Sequence, residues 1–215
     1  MKGVFSMKLK WYGHSCFGLT FANGTAVVTD PFDETVGYPL CTARADIALL
    51  SHDHFDHNHV QSLAGNPQVI CTPGVHEAGG LRITGTPTFH DPEGGKLRGS
   101  NVIFSIEGDG LRIVHMGDIG HIPTDGQYAA IEGADVMLIP IGGTYTVTTP
   151  QAVEIIRRAK PRMAVAMHFS NDLCKMPIAD ASEFIRLTGA VEMPGEIEVV
   201  PGADLPKAIV MRYEA

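Results

Sequence analysis

Residues 51–60, "SHDHFDHNHV", set four histidines and two aspartates within ten positions. Imidazole and carboxylate are the side chains that hold divalent cations such as zinc, manganese or iron, so the segment reads as a metal site. A solvated polar loop could be as rich in histidine. Such a loop does not explain "ADIALL" directly before it, an apolar run that reads as a buried strand leading into the cluster. His52 and His54 stand two apart on an extended segment, so both imidazoles project to one side, where one ion can take both. Phe55 points the other way. Asp56 and His57 then come at the start of a helix expected over 57–64 and present a second pair of donors, which makes two neighbouring ions plausible.

The elements around this segment follow from period and punctuation. "KLKWYG", "SCFGLTF" and "AVVTD" read as three strands, the last two joined by the Asn-Gly turn of "ANGT". The same grammar returns in "NVIFSIE", the turn "GDG", and "LRIVHMGD". The segments 45–52 and 134–141, "ADIALLSH" and "ADVMLIPI", also echo each other. Strands are further expected in "QVICT", "LRITG", "PRMAVAMHF" and "EIEVVP", and helices over roughly 57–64, 124–131, 150–159 and 180–188. The helix at 150–159 is opened by "TTPQ", a cap residue before a proline. A repeated strand pattern with few helices predicts an α/β sandwich of two mixed sheets, internally duplicated, with helices outside.

At 215 residues the chain suits one domain, 1–215, with its own core. Sixteen basic against twenty-four acidic residues give a net charge of -8, and no basic run offers a platform for long nucleic acid. Cys16, Cys41, Cys71 and Cys174 form no C-x-x-C pair, which argues against a zinc ribbon or redox motif and for reduced, mostly buried thiols. No apolar run approaches the ~20 residues of a membrane span, and "MKGVFSMKLKWYGHS" has no export-signal pattern, so a cytoplasmic location is expected. The first six residues add little to the strand that follows, and Met7 offers an alternative start.

The H-x-H-x-D-H pattern of His52, His54, Asp56 and His57 resembles the signature of the metallo-β-lactamase superfamily. That resemblance implies a four-layer αβ/βα sandwich with a metal site between the inner edges of its two sheets. It also implies three further ligands: His90 in "PTFHD", Asp118 in "HMGDIG" and His168 in "VAMHFSND". Carried over, His52, His54 and His90 would hold one ion, Asp56, His57 and His168 the other, and Asp118 would bridge them. Asp30, in "VVTDPF", resembles the family's aspartate that accepts the other N–H of a ligand histidine; a strand-end Asp-Pro can also be a simple turn former. The resemblance places His14, in "GHS", near the substrate mouth, the alternative being a half-buried strand histidine. Tyr145, in a glycine-rich loop, is either a substrate-binding residue or a packing residue. His115 reads as core, and His59, His76 and His121 as surface or loop.

The words "GHS", "GDIG", "PIGGTYT" and "MHF" resemble the ascorbate-6-phosphate lactonase-like branch. The chain departs from it at Ser51, Ile119 and Phe169, positions expected to alter the pocket. The resemblance implies two divalent ions, zinc foremost with manganese or iron as alternatives, about 3.5–4 Å apart and lowering the pKa of a shared water from about 16 toward 7. The expected reaction is attack of that hydroxide on an ester, lactone or phosphoester bond of a small molecule. Asp56 is the expected catalytic residue, orienting the water and passing its proton to the leaving group. Two other functions share the ligand set: a phosphodiesterase or nuclease on small nucleic-acid substrates, and a non-catalytic metal-binding protein.

Overall fold

Alternation in β1 (Met7–Gly13) buries Met7, Leu9 and Trp11 and leaves Lys8 in water, so one face of the strand belongs to the core. β1 pairs antiparallel with β2 (Cys16–Thr20), and β2 with β3 (Ala26–Thr29), the meander that the sequence predicts. This computed structural model describes residues 5–214. The first four residues of "MKGVFS", and Ala215 of the single domain expected over 1–215, lie outside the described residues. β4 (Ile47–Leu49) and β5 (Gln68–Ile70) then add in parallel beside β3.

The second half repeats this plan. After β6 (Gly74–Ala78) come β7 (Leu81–Phe89), β8 (Ser100–Gly108) and β9 (Leu111–His115), an antiparallel meander. β10 (Val136–Pro140) and β11 (Met163–Met167) add in parallel beside β9, as β4 and β5 do beside β3. The duplication legible in the sequence is a duplication of strand order. β12 (Val191–Met193), β13 (Glu196–Val199) and β14 (Ala208–Met211) complete two mixed sheets. Their orders are β13-β1-β2-β3-β4-β5 and β12-β14-β11-β10-β9-β8-β7-β6.

Among the described residues the α-helices are α1 (Asp125–Ile131), α2 (Thr149–Ala159) and α3 (Ser182–Thr188). α1 and α2 each open on a capping box, Thr124 with Gln127 and Thr148 with Gln151. The helix expected over 57–64 is not α-helical; the segment makes a tight turn, with the His57 N–H donating to His54 O at 2.9 Å, and then one 3-10 turn at Val60–Ser62. Its Asp, Asn and His side chains are poor helix formers that bond locally instead, as the Asn58 amide does to Asp53.

Phe17, Leu19, Val27, Ile47 and Leu49 of the first sheet share one buried cluster with Ile83, Phe104, Ile106 and Val114 of the second. Cys16, Val28 and Ala48, alternating with them, face the other way and pack with Phe32, Val36, Tyr38 and Leu63 from the loops and 3-10 turns. Of the four thiols, expected to be mostly buried, Cys16 and Cys41 are buried, Cys174 is half-buried and Cys71 is exposed. No described helix is long and apolar enough to cross a membrane.

Candidate metal centre

Five strand ends converge on one place. Asp30 follows β3, residues 51–57 follow β4, His90 follows β7, Asp118 lies just past β9, and His168 follows β11. Left-handed backbone recurs here at residues that disfavour it: His14 has φ 51°, Asp30 40° and His168 51°. Such conformations cost about 1 kcal/mol or more each and persist where the surroundings over-determine them.

Ligand-type atoms of His52, His54 and His90 lie within 4.8 Å of one another, and those of His14, Asp56, His57 and His168 form a second such group. Asp118 stands between the two. Its Oδ2 lies 3.3 Å from His90 Nε2, 3.3 Å from His57 Nε2 and 3.1 Å from His168 Nε2. The structure thus brings together all seven expected ligands, without itself assigning an ion to either group.

The donor set fits divalent cations on two counts. The buried atoms His52 Nε2, His57 Nε2, His168 Nε2 and Asp118 Oδ1 make no hydrogen bond, a costly state unless a cation takes their lone pairs. Secondly, Asp30, Asp56 and Asp118 are buried together, and among the described residues their only ion-pair partners are histidines, with no salt bridge from a lysine or arginine. Burial drives the His52 imidazole down to about 2 and that of His14 to about 4, leaving both neutral, the form that binds metal. His57 runs the other way: burial opposes its charge, but Asp118, Asp56 and Asp30 around it raise its pKa well above the usual histidine range. Burial likewise works against the Asp118 carboxylate, yet His168 and His57 beside it hold it well below the usual range.

Asp30 is no mere turn former. Its Oδ1 accepts the Ser51 N–H at 2.7 Å, and its Oδ2 accepts the Ser51 hydroxyl at 2.7 Å, His57 Nδ1–H at 2.9 Å and His115 Nε2–H at 2.7 Å. With its own proton given to Asp30, the Ser51 Oγ accepts from His52 Nδ1–H at 2.9 Å. One carboxylate therefore turns the Nε2 atoms of both His57 and His52 toward the cluster. His115 is buried, as a core histidine should be, and it also ties β9 of the second sheet to Asp30 of the first.

Three residues have supporting roles that escaped the sequence reading. Ser51 is one: expected to alter the pocket, it instead links His52 to Asp30. Asn101 is another: its Oδ1 accepts the Asp118 N–H at 2.9 Å, and its amide donates to Thr88 and Met116, anchoring the loop that carries Asp118. Gly117 is the third, in left-handed backbone at φ 54°, where a Cβ would overlap Ser51 and the Asn101 side chain. Gly117→Ala should cost about 2 kcal/mol or more. An unchanged midpoint in urea unfolding would show that this close approach carries no such weight.

A cavity of about 330 Å³ opens over the cluster, floored by His54, Asp56, His90 and Asp118. Phe55, Arg98, Tyr145 and Met176 make its walls, so Tyr145 lines the cavity. His14 does not. It is neither at the mouth nor half-buried, but fully buried in the turn after β1, with Nε2 3.2 Å from Asp56 Oδ2 and its carbonyl accepting from Trp11 Nε1 and the His168 N–H. The departures at Ser51, Ile119 and Phe169 do not line this cavity either. Ile119 is core, and Phe169 stacks on Trp11 at 5.1 Å. His59, His76 and His121 are half-buried and outside both ligand groups.

The beta-lactamase superfamily domain family matches residues 8–168. A solved Thermotoga maritima structure of the metallo-β-lactamase superfamily is 33% identical, with a TM-score of 0.81 over 95% of this chain and 98% of that one. The chain belongs to the metallo-β-lactamase superfamily. A UPF0173 metal-dependent hydrolase of Thermoplasma acidophilum is 28% identical over 229 residues, covering 94% of this chain and 98% of the relative. Igni18, a metallo hydrolase of Ignicoccus hospitalis, shares the fold at 23% identity, with a TM-score of 0.65 over 85% of this chain and 90% of its own. Within the superfamily, then, this chain stands among relatives named metal-dependent hydrolases, the enzyme class that the sequence predicts.

Proposed function

We propose that the protein is a hydrolase of small molecules that holds two divalent ions, zinc foremost, and cleaves an ester, lactone or phosphoester bond. The observation that carries this reading is Asp118 Oδ2, buried within 3.3 Å of one imidazole from the first ligand group and two from the second. A carboxylate so placed could serve as a ligand to both ions. His52, His54 and His90 would hold one, and Asp56, His57 and His168 the other. When bound, such ions supply a water made acidic enough to lose its proton at neutral pH and a Lewis acid for the oxygen under attack.

The chain's own residues supply the rest. Asp56 lines the cavity, and its Oδ2 accepts from His14 Nε2, leaving Oδ1 to orient the attacking water, take its proton and hand it to the leaving group. Burial opposes the charge of Asp56, but His57 and His14 beside it keep its pKa below the usual range, so it stands ready as a carboxylate. The cavity is at the small end of ligand pockets, which favours a small substrate over long nucleic acid.

Elemental analysis should find two divalent ions per chain, and a chelator should abolish turnover of a panel made of a lactone, a thioester and an activated phosphodiester. Zinc or manganese added back should restore it. Undiminished turnover by the stripped protein would overturn the reading. The Thermotoga relative is described as a candidate Zn-dependent hydrolase, which supports zinc, and lactone cleavage would support the lactonase-like branch. Phosphodiester cleavage alone would move the substrate class to nucleotides, and no turnover with both ions bound would indicate a binding protein.

A further inference from the structure

The wall of the cavity carries a charge that the protein does not answer. Arg44, Arg82, Arg158, Arg162 and Arg186 each sit against an aspartate or glutamate. Arg98, like Arg112, Arg157 and Arg212, pairs with no carboxylate among the described residues, but of these four it alone borders the cavity that His54, Asp56, His90 and Asp118 floor. It is the one permanently charged cation among the lining residues. The others are two imidazoles, two carboxylates, the Tyr145 phenol and the apolar side chains of Phe55 and Met176.

Its position is built from two sides. Asp91, buried and next to His90, accepts the backbone N–H groups of Glu93, Gly95, Leu97 and Arg98 itself at 2.8–3.0 Å, so the loop 91–98 is wrapped around one carboxylate. From the loop after β10, the Thr144 carbonyl accepts from Arg98 Nη2 at 3.3 Å, and the Tyr145 ring lies 5.7 Å from the guanidinium. A guanidinium carries five N–H donors, and here a single one is engaged.

We propose that Arg98 binds an anionic oxyacid group, a carboxylate or a phosphate, borne by the substrate away from the bond that is cleaved, with Tyr145 holding the guanidinium in place. This deepens the hydrolytic reading and rests on it. A planar fork of donors suits either anion in a bidentate grip, which lysine cannot reproduce. Arg98 takes no part in bond cleavage; it sets which small molecules the cavity accepts.

The test compares the metal-loaded protein on 4-nitrophenyl esters of butyrate, succinate and 3-phosphonopropionate, which present the same bond with no anion, a carboxylate or a phosphonate. The parent should favour at least one anionic ester over butyrate by about tenfold or more in kcat/KM. Arg98→Gln should remove that preference and Arg98→Lys should keep part of it. The arm that is favoured identifies the anion. Equilibrium binding of the matching 4-nitroanilides needs no turnover and separates this proposal from the hydrolytic reading. Tighter binding of an anionic anilide, lost in Arg98→Gln, supports the Arg98 site even if no ester is cleaved. Equal binding of all three by the parent, or a preference untouched by Arg98→Gln, overturns it.

Discussion

An Asp118→Ala variant is expected to lose turnover by about a thousandfold and to hold fewer divalent ions than the parent. Among the described residues Asp118 Oδ2 is the one carboxylate atom close to imidazoles of both ligand groups, so its loss strips a donor from each at once. The backbone that carries it is anchored separately, through its N–H to Asn101, and the fold should survive the change. Thermal unfolding gives a second readout. A ligand that binds only the folded state raises Tm by an amount that grows with the logarithm of its concentration over its dissociation constant, so the rise on adding zinc should shrink in the variant while circular dichroism stays unchanged. Full activity with both ions still bound would overturn the shared-carboxylate assignment.

How much of this could be read beforehand depends on how local each feature is. His52, His54, Asp56 and His57 are contiguous and follow a strand, so their spacing alone announces a ligand cluster. His90, Asp118 and His168 are single residues at strand ends, and only the resemblance to a family picked them out of ten histidines and twenty-four acids. Ser51, Asn101 and His115 matter because of what faces them across two sheets, and no period in the chain encodes a cross-sheet partner. The expected strands are those with alternation or a long apolar run. β6 and β12 carry no such signal because most of their residues are exposed, and β14 because four apolar residues, "AIVM", carry no period to read. The helix expected over 57–64 failed for the same reason that the site works: that segment's polar side chains are committed one by one to specific partners. Arg98 sits in a glycine-rich loop with nothing in its neighbours to mark it, and its meaning appears only once Asp91 and Tyr145 are seen to fix it over the cluster.

Asp30 carries the second large expectation. Asp30→Ala removes the acceptor of the Ser51 N–H, the Ser51 hydroxyl, His57 Nδ1–H and His115 Nε2–H together, all in a region without solvent. Each buried donor left without a partner costs about 1–3 kcal/mol, and water admitted to the new space satisfies some of them. A net loss of about 3–5 kcal/mol is therefore expected, a large share of a typical ~5–15 kcal/mol total, read as a fall in the urea unfolding midpoint. Metal affinity should drop as well, by about ten- to a hundredfold, since His57 directly and His52 through Ser51 lose the bond that turns their Nε2 atoms inward. Asp30→Asn separates the two effects, because its amide oxygen still accepts from some of these donors while the carboxylate charge facing His57 and His115 is gone. It should recover part of the stability and less of the metal affinity. Should Asp30→Ala unfold at the parental midpoint and bind zinc as tightly, the carboxylate would not be what joins the two sheets to the ligand histidines.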